Sequence, residues 1–185
     1  MQNMWRDDIP RGTSPWKLLL FVTRPYRTVA LWACILVILG GATGVATAYV
    51  FKLITDSAHA LASGGGMSAL WYATFAYAVV SLLGILFWRG SGFVGMYWSV
   101  GVRATTRYIL SSYVIRHSHA YFTDRFAGSI SSKITQASNS MKDIVEGIMW
   151  NFIPFLVSII GSFALAFYTH PLIAFIFLVW VCVIT

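Results

Sequence analysis

Few side chains in this chain are spaced for chemistry. The four histidines, His59, His117, His119 and His170, are scattered along it. His117-Ser118-His119 lacks the i, i+4 spacing that sets two imidazoles on one helix face, and no third metal ligand lies nearby. Polar residues at a helix end account for that pair. Asp143 and Glu146 stand three apart and fit a solvated helix face, and no Ser–His–Asp set can be assembled. There is no G-x-x-x-x-G-K-[S/T] phosphate loop and no acidic strand motif after one, so this chain is expected neither to cradle nor to hydrolyse ATP. The run Gly64–Gly66 reads as a connection. Cys34 and Cys182 sit in apolar runs, where a thiol acts as a small hydrophobe, and they form no disulfide framework or metal pattern. Expected catalytic residues, bound cofactors and metals are therefore none. What remains is recognition chemistry: Tyr121, Phe122, Thr123, Asp124, Arg125, Phe126 and Gly128 form a short aromatic turn flanked by charge. Such a tip suits a protein contact; the other reading is aromatics packed back on their own helices.

The elements that carry this turn follow from composition. Hydrophobic residues make up 58% and charged residues 10% of the chain, with a mean hydropathy of +0.72. These values exclude an ordinary soluble domain and imply an all-α membrane protein. Thr28 to Phe51, Met67 to Trp88 and Gly147 to Thr169 are uncharged runs, each reaching the ~20 residues that cross ~30 Å of hydrocarbon. A fourth run starts at Leu172. Up to Thr185 it would cover only ~21 Å at ~1.5 Å per residue, which predicts that the chain is the N-terminal part of something longer. The expected organisation is a polar terminus and interfacial elbow helix over 1–27, a span over 28–56, and an outer loop over 57–66. A span with a long extension over 67–118, a tip over 119–128, an extension and span over 129–169, and the start of a fourth span over 171–185 follow.

Basic residues set the expected orientation. Arg6, Arg11, Lys17, Arg24 and Arg27 precede the first span, and Arg103, Arg107, Arg116, Arg125, Lys133 and Lys142 follow the second. The connection from Lys52 to Gly66 holds Lys52 alone. The positive-inside rule then places the N-terminus and the hairpin in the cytoplasm, in a multi-pass plasma (inner) membrane protein. Topology accounts for the net charge of +7 without a nucleic-acid face. No secretory signal peptide is evident. Ser14-Pro15 reads as an N-cap and first helical residue, and the short helix ending near Arg24-Pro25 is expected at the membrane surface.

Arg89 is the one charge from Met67 to Val102. Either it marks where the helix leaves the membrane, with Trp88 as an interfacial anchor, or it faces a wet cavity on a substrate path. Trp88, Arg89 and Asn151 are the candidate cavity-facing residues. Gly40 and Gly44 form a G-x-x-x-G suited to close helix contact, and Gly90, Gly92 and Gly95 suit packing or a bend. Ile130, Ile134, Ala137, Met141, Ile144 and Ile148 recur at helical steps, which predicts one helix over 129–168, bent where Pro154 removes the bond to Trp150.

The order of a basic helix, H-S-x-x-Y-F-x-D-R-F-x-G-x-I-x-S-K-I and a polar helix entering a span that carries a proline resembles the exporter-type ABC transporters. The segments carrying it are Arg107-Tyr108-Ile109-Leu110, Tyr121-Phe122-Thr123-Asp124, Gly128 and Lys133-Ile134, and the resemblance covers roughly residues 14–185. It implies half of a six-helix bundle whose long helices extend into the cytoplasm. It further implies that residues 119–128 hold a coupling helix docking on a nucleotide-binding domain through Tyr121, Phe122, Asp124 and Arg125. The implied partners are that domain, a second transmembrane half (of a homodimer or heterodimer), the bilayer, and a lipid, drug or peptide substrate. ATP and Mg2+ would sit on the missing motor domain, and the parent would hydrolyse ATP. A bundle cut after three and a half spans is expected to be unstable alone. The other reading is a small membrane accessory or scaffold protein whose hairpin binds another partner.

Overall fold

A computed structural model describes residues 15–116, 127–169 and 175. The described residues form five α-helices and no strand. Helix α1, Pro15–Thr23, opens on proline, whose fixed φ suits a first helical position. A 3-10 turn, Arg24–Tyr26, takes up Pro25 and leads into α2, Arg27–Ala62. Helix α3 runs unbroken over 48 residues, Ser68–Ile115. At ~1.5 Å per residue that is ~72 Å, more than twice a ~30 Å hydrocarbon core. Helix α4, Ala127–Gly147, passes through a π turn, Ile148–Phe152, into α5, Ile153–Thr169. Among the described residues, three stretches are long and apolar enough to cross a membrane, Trp16–Ala62, Ser68–Ile115 and Ser129–Tyr168. The residues expected at the hairpin tip from His119 to Phe126, and the fourth span, lie outside the described residues apart from Phe175.

One boundary differs from the sequence reading, for a local reason. Helix α2 continues to Ala62, through the first part of the expected outer loop. The run Ser57-Ala58-His59-Ala60-Leu61-Ala62 is polar enough to leave hydrocarbon yet rich in alanine, the best helix former. The helix stops where glycine permits it. Gly64 has φ +93°; its amide donates to the Leu61 carbonyl at 3.1 Å and the Gly65 amide to Ala60 at 2.9 Å. These two bonds are a Schellman closure of the last turn. Gly64→Ala is expected to cost about 1–2 kcal/mol, the penalty of the left-handed region for an L side chain, read as a lower melting temperature in detergent. Near Pro154 the helix runs on, as expected for 129–168; it widens into a π turn just before the proline, a common way for a helix to absorb a disrupted bond ladder.

Contacts divide the chain into two compact units, residues 1–33 with 93–148, and residues 34–92 with 149–185. In the first, Leu19, Val22, Ala30 and Ala33 are buried with Trp98, Val102 and Ile109 of α3 and Met141 and Val145 of α4. The buried ridge of α4 is Ser138, Met141 and Val145, continued by Met149 of the π turn. Ile144 and Ile148 of the expected stripe are only half-buried. The apolar stripe is wider than the contact, and packing selects one edge of it. Buried hydroxyls are satisfied within their own helices: Thr106 Oγ1 donates to the Val102 carbonyl and Ser138 Oγ to that of Ile134, both at 2.7 Å. Trp98 Nε1 is buried and has no acceptor among the described residues.

In the second unit the buried apolar residues are Val37, Val50, Ala73 and Met149, while Trp71, Tyr72, Phe75, Phe155 and Phe167 are exposed. This is the distribution expected in lipid, where large apolar side chains gain little by leaving the surface and helices meet through small residues. Thr43 and Thr47 donate to the carbonyls of Gly40 and Thr43 at 2.7 Å, so their hydroxyls are not left unpaired at membrane depth.

Candidate functional site

In the first unit, Tyr26 joins the N-terminal turn to α3. Its hydroxyl lies 3.3 Å from Thr105 Oγ1, and its ring meets Tyr97 edge-on, with centroids 6.1 Å apart and planes at 74°. A Cβ at Gly101 would lie 2.5 Å from two ring carbons of Tyr26. The ring therefore occupies a notch that exists because residue 101 has no side chain. Leu19 and Val22 of α1 are buried beside this pin, and Trp16 and Leu20 are exposed. Arg24 stacks 5.8 Å from the Phe21 ring centroid, a modest cation–π contact.

Helices α3 and α4 form a stem in the same unit. Arg107 and Ser111 of α3 face Ile130, Ser131, Ile134 and Thr135 of α4 across a cleft of about 270 Å³. Gly128 falls in the first turn of α4. Farther along, Lys142 Nζ donates to Glu146 Oε2 at 2.9 Å and lies 3.8 Å from Asp143 Oδ1. The two carboxylates are thus held by a lysine on their own helix. Such surface pairs contribute little to stability.

The second unit is locked by glycines. On the α2–α3 side, the Trp88 indole lies against Gly40, at 3.3 Å from a Cβ placed there, and Gly84 leaves room for Thr43 at 2.9 Å. On the α2–α5 side, Gly41 faces Val157 at 3.0 Å and Gly161 faces Val45. Beside the second contact runs an apolar groove of about 780 Å³, lined by residues including Ile38, Ala42, Tyr49, Leu156, Ile160 and Leu165. Trp88 is thus a packing residue in this unit. Arg89 is exposed on α3 and Asn151 is exposed in the π turn. Neither the groove nor the stem cleft is lined by Trp88, Arg89 or Asn151. Among the described residues, no three His, Cys, Asp or Glu side chains come together as a metal site.

Glycine notches join the apolar helices of the second unit, and α3 is far longer than a bilayer core requires. The family model for the ABC transporter transmembrane region matches residues 30–185. The chain belongs to this family. It is an exporter-type ABC transmembrane domain, and a multi-pass membrane protein. No curated protein and no solved structure matches it. Membership gives this ABC transmembrane region a general partner class, a nucleotide-binding domain, and a general setting, the bilayer.

Sequence reasoning missed the Tyr26 pin and the pairing of Gly161 with Val45. Both contacts join residues far apart in the chain, and only the crossing of two helices reveals them. The available signal was an isolated glycine within each helix, Gly101 and Gly161, which costs helix stability unless something packs against it.

Proposed function

We propose that this ABC transmembrane region forms part of the substrate pathway of an ATP-driven exporter and carries the motion of a nucleotide-binding domain into the membrane through the turn between α3 and α4. The observation that carries the reading is the length of α3. A single 48-residue helix holds both a membrane-length apolar stretch and the first arm of the stem, which supports transmission of a force from near Ile115 toward the span. In the stem, Val102, Thr106 and Ile109 are buried together with Ser138, Met141 and Val145 of α4, which supports movement of the two arms as one lever. Tyr121, Phe122, Thr123, Asp124, Arg125 and Phe126 supply the docking contacts, with Gly128 starting the second arm. The basic flanks put the N-terminus and the stem in the cytoplasm at the inner membrane. ATP and Mg2+ bind the partner domain; this chain contributes no catalytic residue and no cofactor ligand. A second transmembrane half completes the pathway, with Arg89, Trp88 and Asn151 as candidates to face it.

The test is reconstitution of the chain in nanodiscs and titration with a nucleotide-binding domain from the same source organism. Saturable binding, and ATP turnover that changes when the membrane chain is added, is the expected result. A chain that is helical by circular dichroism and binds no such domain would overturn the proposal.

A further inference from the structure

The stem cleft has the make-up of a binding site that the coupling role does not use. Arg107 and Ser111 are four apart on α3, so they share a face; Ser131 and Thr135 share one on α4, and Ile130 and Ile134 lie one step around it. The cleft therefore has a polar wall and an aliphatic wall. The Arg107 guanidinium is exposed and makes no ion pair among the described residues. The α4 carboxylates Asp143 and Glu146 pair with Lys142 and do not line the cleft. Among the described residues, the hydroxyls of Ser111, Ser131 and Thr135 have no hydrogen-bond partner, whereas Thr106 and Ser138 in the same unit donate to their own helices.

We propose that this cleft binds a small phosphate monoester with a short apolar body. The donors decide the head group. A guanidinium fork and three hydroxyls offer about five hydrogen bonds, more than the ~four lone-pair sites of a carboxylate and well matched to three phosphate oxygens. The volume decides the size. About 270 Å³ is just below the ~300–1,000 Å³ of sites for drug-sized ligands. The position decides the source. Arg107 lies nineteen residues beyond Trp88, roughly 28 Å along a helix, which is past the head-group layer of a bilayer whose total thickness is ~40–45 Å. The ligand therefore comes from water and not from a lipid. Bound there, it would bridge α3 and α4 and stiffen the stem. The site does not depend on the coupling reading, and direct binding tests it separately.

The test is calorimetric titration of the chain in nanodiscs with phenyl phosphate, and separately with inorganic phosphate. Phenyl phosphate is expected to saturate one site, with inorganic phosphate at least ~10-fold weaker because it leaves the isoleucine wall empty. Arg107→Gln, an exposed change that leaves the helical spectrum intact, is expected to weaken phenyl phosphate at least ~10-fold. Arg107→Lys is expected to fall between, since it keeps the charge and loses the fork. Absence of saturable binding, equal affinity for both probes, or binding unchanged by Arg107→Gln would each overturn the proposal.

Discussion

Gly161→Val is expected to break the packing of α5 on α2 and to remove most of the folded protein in detergent. A Cβ at residue 161 would fall inside contact distance of both methyl carbons of Val45, and of its Cβ. Valine is stiff about χ1 and cannot swing clear in a helix, so one of the two helices must move. Overpacking of this kind costs about 1–3 kcal/mol. The consequence is larger here because few described apolar residues of this unit are buried, Val37, Val50, Ala73 and Met149, and the lipid-facing aromatics add no compensating drive. The check is a thermal melt of wild type, Gly161→Val, and Gly161→Val with Val45→Ala. Recovery of much of the loss in the double variant is the expected sign of a direct clash, because contacting residues are non-additive. Equal melts for wild type and the single variant would show that the contact carries no weight.

Gly101→Ala is expected to release the N-terminal turn from α3. The added methyl would stand 2.5 Å from Tyr26 Cε1 and Cζ, and an aromatic ring cannot yield as the end of a flexible chain does. Expelling the ring forfeits the edge-on contact with Tyr97, the hydroxyl pairing with Thr105, and part of the burial of Leu19 and Val22. Aromatic pairs contribute about 0.5–1.5 kcal/mol beyond burial, and a net hydrogen bond about as much. Hydrogen exchange over residues 15–26 is the measurement, with exchange expected to rise at least ~10-fold, the equivalent of about 1.4 kcal/mol of local opening. Tyr26→Phe, which removes the hydroxyl alone, is expected to give a smaller rise. Protection unchanged in Gly101→Ala would mean that α1 is held by other contacts.

The long elements were legible because membrane helices announce themselves through uncharged length. The expected extended span over 67–118 and the helix Ser68–Ile115 nearly coincide, and α1 ends at Thr23, just before Arg24-Pro25. Ends set by charge were less accurate. Lys52 closes the uncharged run that ends at Phe51, but leaving hydrocarbon does not break a helix, and the stop waited for Gly64. The stripe on α4 gave the right periodicity, with Met141 in it, and missed Val145, since a helix with apolar residues over a wide arc does not reveal which edge meets its neighbour. Partner identity across helices was not legible. Tyr26 and Thr105 are 79 residues apart, and their meeting depends on crossing geometry that no local pattern encodes. Arg89 was visible as an unusual charge, and the structure leaves it exposed on α3.

We propose that a motor domain engages this ABC transmembrane region at the segment joining α3 and α4. The most direct test compares the affinity of a nucleotide-binding domain for the nanodisc-embedded chain and for a variant carrying Tyr121→Ala, Phe122→Ala and Asp124→Ala. Aromatic anchors at an interface commonly cost more than ~2 kcal/mol each when truncated, so the account predicts a loss of affinity of at least ~100-fold with the helical spectrum unchanged. Equal affinity of wild type and variant would contradict it and place the engagement elsewhere on the chain.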